Sequence, residues 1–215
     1  MYAQLRDMIR LIAADAERYE SRPKTVVYLG DYIDRGASSR EVVELLMSEP
    51  FGKGGFREIF LKGNHEELME AYYDKSDEVT WLYNGGLETL DSYGGEVPED
   101  HRAWMQALPH FHAAGGYFFV HAGVDPDRAL ERQLADDLLW IRRSFTDSDA
   151  TFTFHGEPAK IVHGHTIVRE PQERANRIGI DTGAYATGVL TAVVLDGAEQ
   201  RFLRVTGDPA PGYAR

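Results

Sequence analysis

The sequence predicts a single α/β domain. Short apolar runs bounded by glycine, proline and turn residues read as strands, and amphipathic stretches of helical period lie between them. The polar motifs sit where the apolar runs end. In layered α/β folds ligands collect in the crevice beyond the strand carboxyl ends, so the same pattern also locates a site.

Residues 3–19 place Leu5, Met8, Ile9 and Ile12 on one face and Arg6, Asp7 and Arg10 on the other, an amphipathic helix stopped by Pro23. Thr25 to Leu29 follows as a fully buried strand ending at Gly30-Asp31. A helix over 38–48 has Ser38 or Ser39 as cap and Val42, Val43, Leu45 and Leu46 inward. Glu58 to Leu61 is a second strand, ending at Gly63-Asn64-His65, and a helix covers about 66–74. A polar helical stretch spans 78–107. Strands are then expected at Tyr117–His121, Lys160–His163, Arg177–Asp181, Leu190–Leu195 and Gln200–Val205, before a Gly/Pro-rich tail. Helices thus dominate the first half and strands the second, with no repeat or linker.

The chain has 215 residues, enough for one sizeable core. It carries 23 basic and 35 acidic side chains, a formal net charge of −12, which argues against a nucleic-acid backbone or an anionic membrane as partner. An anionic substrate stays open if metal ions or arginines reverse the sign inside a cleft. The absence of cysteine excludes disulfides, thiolate metal sites and a cysteine nucleophile. A metal would be held by imidazole, carboxylate and amide oxygen, which suits Mn, Fe, Zn or Mg. No apolar run approaches membrane-helix length and no signal peptide is read, so a soluble cytoplasmic protein is expected.

Four strand ends deliver Gly30-Asp31-Tyr32-Ile33-Asp34-Arg35-Gly36, Gly63-Asn64-His65-Glu66, His121-Ala122-Gly123 and His163-Gly164-His165-Thr166. Each sets glycine beside a metal-ligand type, and glycine lets the backbone pass close to an ion or phosphate. Singly each is a weak signal; four in one cysteine-free domain are hard to explain by packing.

This series resembles the calcineurin-like metallophosphoesterases, and within them the phosphoprotein-phosphatase branch, with bacterial Ser/Thr phosphatases and symmetrical dinucleoside tetraphosphatases. Leu138 to Arg142 and Ile180 to Gly183 extend the likeness over nearly the whole chain. The resemblance implies two packed mixed β-sheets flanked by helices, with residues 1–215 forming one metallophosphoesterase domain. It implies that Asp31 bridges two divalent ions, Mn foremost, and that Asn64, His121 and His165 complete the second. By the same resemblance His65, oriented by Asp34, would protonate the leaving alkoxide, and Arg35 and Arg142 would clamp the phosphate oxygens. Attack on phosphorus would be direct, by a metal-bound hydroxide. The chemistry suits these residue types: a carboxylate can span two cations about 3.5–4 Å apart, a histidine beside a carboxylate can stay protonated at neutral pH, and an arginine fork matches two phosphoryl oxygens.

The family's opening Asp-x-His-Gly strand, which supplies an aspartate and a histidine to the first metal, does not appear before Met1-Tyr2-Ala3. Asp7 and Asp15 lie on the helix and do not substitute. Truncation and a natural one-metal variant are the two readings of this gap. Both predict firm binding of the second metal and weak binding of the first, which keeps only Asp31 and His163 from this set. Neighbouring strand edges would then be exposed, inviting homodimerisation or strand swapping.

A phosphorylated protein or small phosphoester is the expected substrate, phosphoserine/phosphothreonine first and a symmetrical dinucleoside tetraphosphate second. A catalytically impaired phosphate-binding domain is the third reading. His163 reads equally as a ligand, on the same side of an extended segment as His165, or as a supporting donor. His101, His110, His112 and His155 read as solvated loop residues, and Tyr185 as a packing aromatic beside the cleft. Trp81, Trp104 and Trp140 read as core or half-buried residues, Glu66 and Glu67 as helix-dipole partners, and 96–100 as a solvated acidic loop.

Overall fold

The apolar face of Leu5, Met8 and Ile12 lies on α1 (Tyr2–Ala16), which packs on the hairpin of β9 (Val189–Asp196) and β10 (Glu199–Thr206). The structure, a computed structural model, describes residues 1–19, 22–52, 55–197 and 199–213. After α1 the chain forms β1 (Lys24–Tyr28), α2 (Ser39–Met47), β2 (Phe56–Phe60) and α3 (Asn64–Tyr73), with β1 and β2 parallel.

The expected helix over 78–107 is broken. A π-helical turn at Leu82–Gly86 leads into α4 (Leu87–Tyr93), Gly94 ends it at φ +77°, and α5 (Glu99–Gln106) restarts behind Pro98. The acidic segment is not a free loop: Val97 is buried, and Glu99 and Asp100 form the first turn of α5.

The second half builds a six-stranded mixed sheet in the order β3-β4-β6-β8-β7, with β5 paired to β6. Its strands are β3 (Phe111–Ala114), β4 (Tyr117–Val120), β5 (Phe152–Phe154), β6 (Glu157–His163), β7 (Gln172–Glu173) and β8 (Arg177–Gly179). β4, β6 and β8 run parallel, carrying His121 and His163 to one edge, while β3, β5 and β7 are antiparallel additions. Those three strands of two to four residues, and the short helices α6 (Ala135–Trp140), α7 (Arg143–Thr146) and α8 (Ala184–Thr187), lie outside the sequence expectation. One apolar cluster centres on Trp81, Met69 and Val43 among α2 to α5, the other on Phe118, Phe145 and Ile161 against the large sheet. Among the described residues no helix is long and apolar enough to cross a membrane.

β1 departs from the fully buried strand expected: Thr25 is exposed and its neighbours are half-buried. Its partner is β2 alone, as that of β9 is β10 alone, among the described residues. The outer flanks of β1 and β9 instead line one cavity of about 1220 Å³, walled also by Leu5, Met8, Tyr117 and Phe119. The Arg22–Asp196 ion pair, 2.6 Å, sets the entry to β1 beside the end of β9. At its other end the cavity reaches Asp31, His65, His121 and His165.

Candidate metal and phosphoryl-transfer site

The site is assembled from loops that leave β1, β2, β4 and β6. The first two touch backbone to backbone: Gly30 sits at φ +95°, and a Cβ there would lie 2.5 Å from the Gly63 nitrogen. Glu66, fully buried, staples these turns by accepting N–H bonds from Asp31 at 2.9 Å, Tyr32 at 2.8 Å and Gly63 at 2.8 Å. Burial and the Asp31 charge push its carboxyl up to about 7 against those donors. The helix-dipole role expected of Glu66 is therefore secondary to a loop-fixing one.

Strain concentrates here. Asp31, Asp34, Arg35 and His165 have φ of 59°, 75°, 61° and 59°, a region that side-chain-bearing residues seldom adopt. Gly85 (φ +110°) lets the π-helical turn approach so closely that a Cβ would lie 2.6 Å from the Arg35 nitrogen.

Asp31, His121 and His165 offer ligand atoms that all lie within 4.8 Å of one another. His121 donates from Nδ1 to the Leu29 carbonyl at 2.7 Å, which turns the Nε2 lone pair into the cluster. There it faces Asn64 Oδ1 at 2.9 Å, His165 Nδ1 at 3.2 Å and Asp31 Oδ1 at 3.4 Å. The His165 Nε2 is buried without a hydrogen-bond partner. Burial and the neighbouring His121 push His165 down to about 3, so it is a neutral donor at physiological pH. Burial works to raise Asp31, but His121, His65 and the His65 N–H outweigh it and hold the carboxylate ionised. Carboxylate and amide oxygens beside two imidazole rings, one of whose buried nitrogens has no hydrogen-bond partner, fit a divalent cation.

Beside this cluster, His65 Nδ1 lies 2.5 Å from Asp34 Oδ2, both buried. Asp34 also accepts from Trp81 Nε1 at 3.0 Å and Thr89 Oγ1 at 2.7 Å, which fixes the carboxylate. Burial alone would lower His65, but the Asp31 charge and the Asp34 hydrogen bond outweigh it and raise its pKa. The His65 N–H, in the first turn of α3, donates to Asp31 Oδ1 at 3.2 Å and ties the pair to the ligand cluster.

Arg35 and Arg142 line the same cavity, Arg142 at the entry to α7. His163 does not join them. Strand alternation stops at Gly164-His165, where φ turns positive, and the His163 ring packs on Phe145 and Gly179 with Nδ1 3.1 Å from the Gly164 carbonyl. The ligand pairing expected from alternation is thus broken by the turn. Of the outlying histidines, His112 lies in β3 against Phe119 and His101 pairs with the Tyr93 hydroxyl, so neither is a free loop residue. Trp140 is 38% exposed, neither core nor half-buried, its Nε1 donating to Glu67.

Sequence reasoning missed Trp81 and Thr89 as supports of Asp34, because nothing in a polar helical stretch marks which residues turn inward. It also missed Asp181, which lines the cavity with a carboxyl that burial and the Asp31 charge push up.

The chain is 28% identical over 188 residues to the Bis(5'-nucleosyl)-tetraphosphatase PrpE [asymmetrical] of Bacillus subtilis, covering 78% of this chain and 74% of the relative. It is 29% identical over 180 residues to Serine/threonine-protein phosphatase 2 of Escherichia coli, covering 77% of each. A crystal structure of a metallophosphoesterase from Sphaerobacter thermophilus aligns with 94% of this chain and 74% of its own, at 18% identity and a TM-score of 0.42. The family model for Calcineurin-like phosphoesterase matches residues 1–187, so the chain belongs to the calcineurin-like phosphoesterase family.

Proposed function

We propose that this phosphoester hydrolase is a phosphoserine/phosphothreonine protein phosphatase in which Asp31, Asn64, His121 and His165 hold a divalent cation, manganese foremost, and His65 is the general acid. A cation bound there supplies charge stabilisation to the phosphoryl oxygens and activates water for attack on phosphorus. The observation that carries the reading is the buried His65–Asp34 pair hydrogen-bonded to Asp31.

With Nδ1 committed to Asp34, His65 Nε2 is the atom that delivers a proton to the leaving alkoxide. Asp34 holds the ring and favours its protonated form. Arg35 and Arg142 bind phosphoryl oxygens and offset the negative surface locally. The E. coli relative's name supports a phosphoprotein substrate.

The B. subtilis relative favours a second reading, a dinucleoside tetraphosphatase, but of the asymmetrical rather than the symmetrical kind expected from the sequence. Phosphate release from a phosphoserine peptide supports the first reading. Diadenosine tetraphosphate cleaved to ATP plus AMP supports asymmetrical cleavage, and two ADP supports symmetrical cleavage.

The family resemblance further implies an Asp-x-His-Gly strand, and the cavity between the open edges of β1 and β9 supports its seat here. Assaying p-nitrophenyl phosphate with Mn(II), before and after fusing such a strand ahead of Met1, tests this. A large gain is expected, whereas activity at background after fusion supports a phosphate-binding domain instead.

A further inference from the structure

The chain leaving β10 is stitched across the molecule. The Gly207 N–H donates to the Gly188 carbonyl at 3.0 Å, and Gln4 Nε2 donates to the Asp208 carbonyl at 2.8 Å. The Ala210 N–H donates to the Tyr185 carbonyl at 2.7 Å, and Ala210 is buried. Finally the Tyr213 hydroxyl donates to Glu88 Oε1 on α4 at 2.9 Å. Residues 207–213 thus form a strap from the end of β10, past α8, to α4.

Beneath the strap, the Tyr185 ring meets the Tyr213 ring edge-on, with centroids 5.3 Å apart and planes at 83°. It also carries the Arg35 guanidinium, whose Cζ lies 4.7 Å from the ring centroid. Among the described residues, Arg35 has no carboxylate partner, although its charge bears on His65, Asp181 and Tyr213. An aromatic face holds a guanidinium without occupying its five N–H donors, so the fork stays free for an oxyanion. A carboxylate in that place would compete with the phosphoryl group.

We propose that the strap positions the phosphoryl clamp: Tyr185 is the positioning residue that holds the Arg35 guanidinium, and Tyr213 anchored on Glu88 fixes the Tyr185 ring. The inference rests on the reading of Arg35 as a ligand of phosphoryl oxygens.

Calorimetric titration of the full chain with inorganic phosphate, in the presence of Mn(II), tests it, with thermal unfolding confirming that each variant is folded. Tyr185→Leu is expected to weaken phosphate about fivefold, while Tyr185→Phe, which keeps the ring, stays within about twofold of wild type. Tyr213→Phe removes only the hydroxyl and is expected to weaken phosphate about twofold. In an Arg35→Ala background, itself weak, Tyr185→Leu is expected to cause no further loss. Folded Tyr185→Leu or Tyr213→Phe protein that binds phosphate like wild type, beside a weakened Arg35→Ala, overturns the positioning role alone. So does an equal loss from Tyr185→Leu in the Arg35→Ala background. Undiminished binding by Arg35→Ala overturns the clamp reading and the strap's role with it.

Discussion

His65 Nδ1 and Asp34 Oδ2 lie 2.5 Å apart, both buried at the end of the cavity, and the carboxylate is held from its other side by Trp81 and Thr89. Such a pair fixes the imidazole tautomer and favours its protonated form. Asp34→Asn is expected to lower kcat for p-nitrophenyl phosphate about 100-fold with phosphate affinity little changed. Thr89→Val, which removes one hydrogen bond to Asp34, is expected to cost less. Steady-state kinetics with phosphate as competitive inhibitor checks both, and an Asp34→Asn protein of wild-type kcat would remove His65 from the acid role.

Asp31, His121 and His165 offer ligand atoms within 4.8 Å of one another, and Asn64 Oδ1 lies 2.9 Å from His121 Nε2. Equilibrium dialysis followed by metal analysis is expected to give about one tightly held Mn(II) per chain, abolished by His121→Ala or His165→Ala. Two tightly held ions per chain contradict the one-metal reading.

Glu66 accepts three backbone N–H bonds inside the protein. Glu66→Ala leaves those donors unpaired, and a loss of about 3 kcal/mol in urea unfolding is expected. A loss under 1 kcal/mol would show that the turns are held by other contacts.

The pH dependence of stability follows from His163. Burial holds its pKa down to about 4, against about 6.5 in the unfolded chain. Between those values the unfolded state binds the extra proton, so this contribution is complete above pH 6.5 and is lost as pH falls toward 4. The loss amounts to about 3 kcal/mol. Urea midpoints of the metal-free protein across that window, compared with His163→Asn, check it: the variant's profile is expected to be flatter.

Much of this was legible in the sequence because strand ends and glycines announce themselves locally. The positions of Asp31, Asn64, His65, His121 and His165 follow from four apolar runs that each stop at a polar motif. What was not legible depends on contacts distant along the chain. Trp81 reaches Asp34 across 47 positions, and Glu66 reaches back 35 positions to the Asp31 N–H. Of the two readings of His163, the ligand one rests on alternation, which assumes an extended backbone, and the chain turns at His165. β1 reads as buried on its apolar content, although an open edge leaves an apolar strand half-exposed along a cavity.

The central claim is that one cation sits where these four loops meet. Anomalous diffraction from crystals grown with Mn(II), collected at the manganese edge, tests it most directly. A strong peak enclosed by Asp31, Asn64, His121 and His165, with the His65–Asp34 pair beside it, is the predicted result; no peak there, or manganese confined to acidic surface side chains, would contradict it.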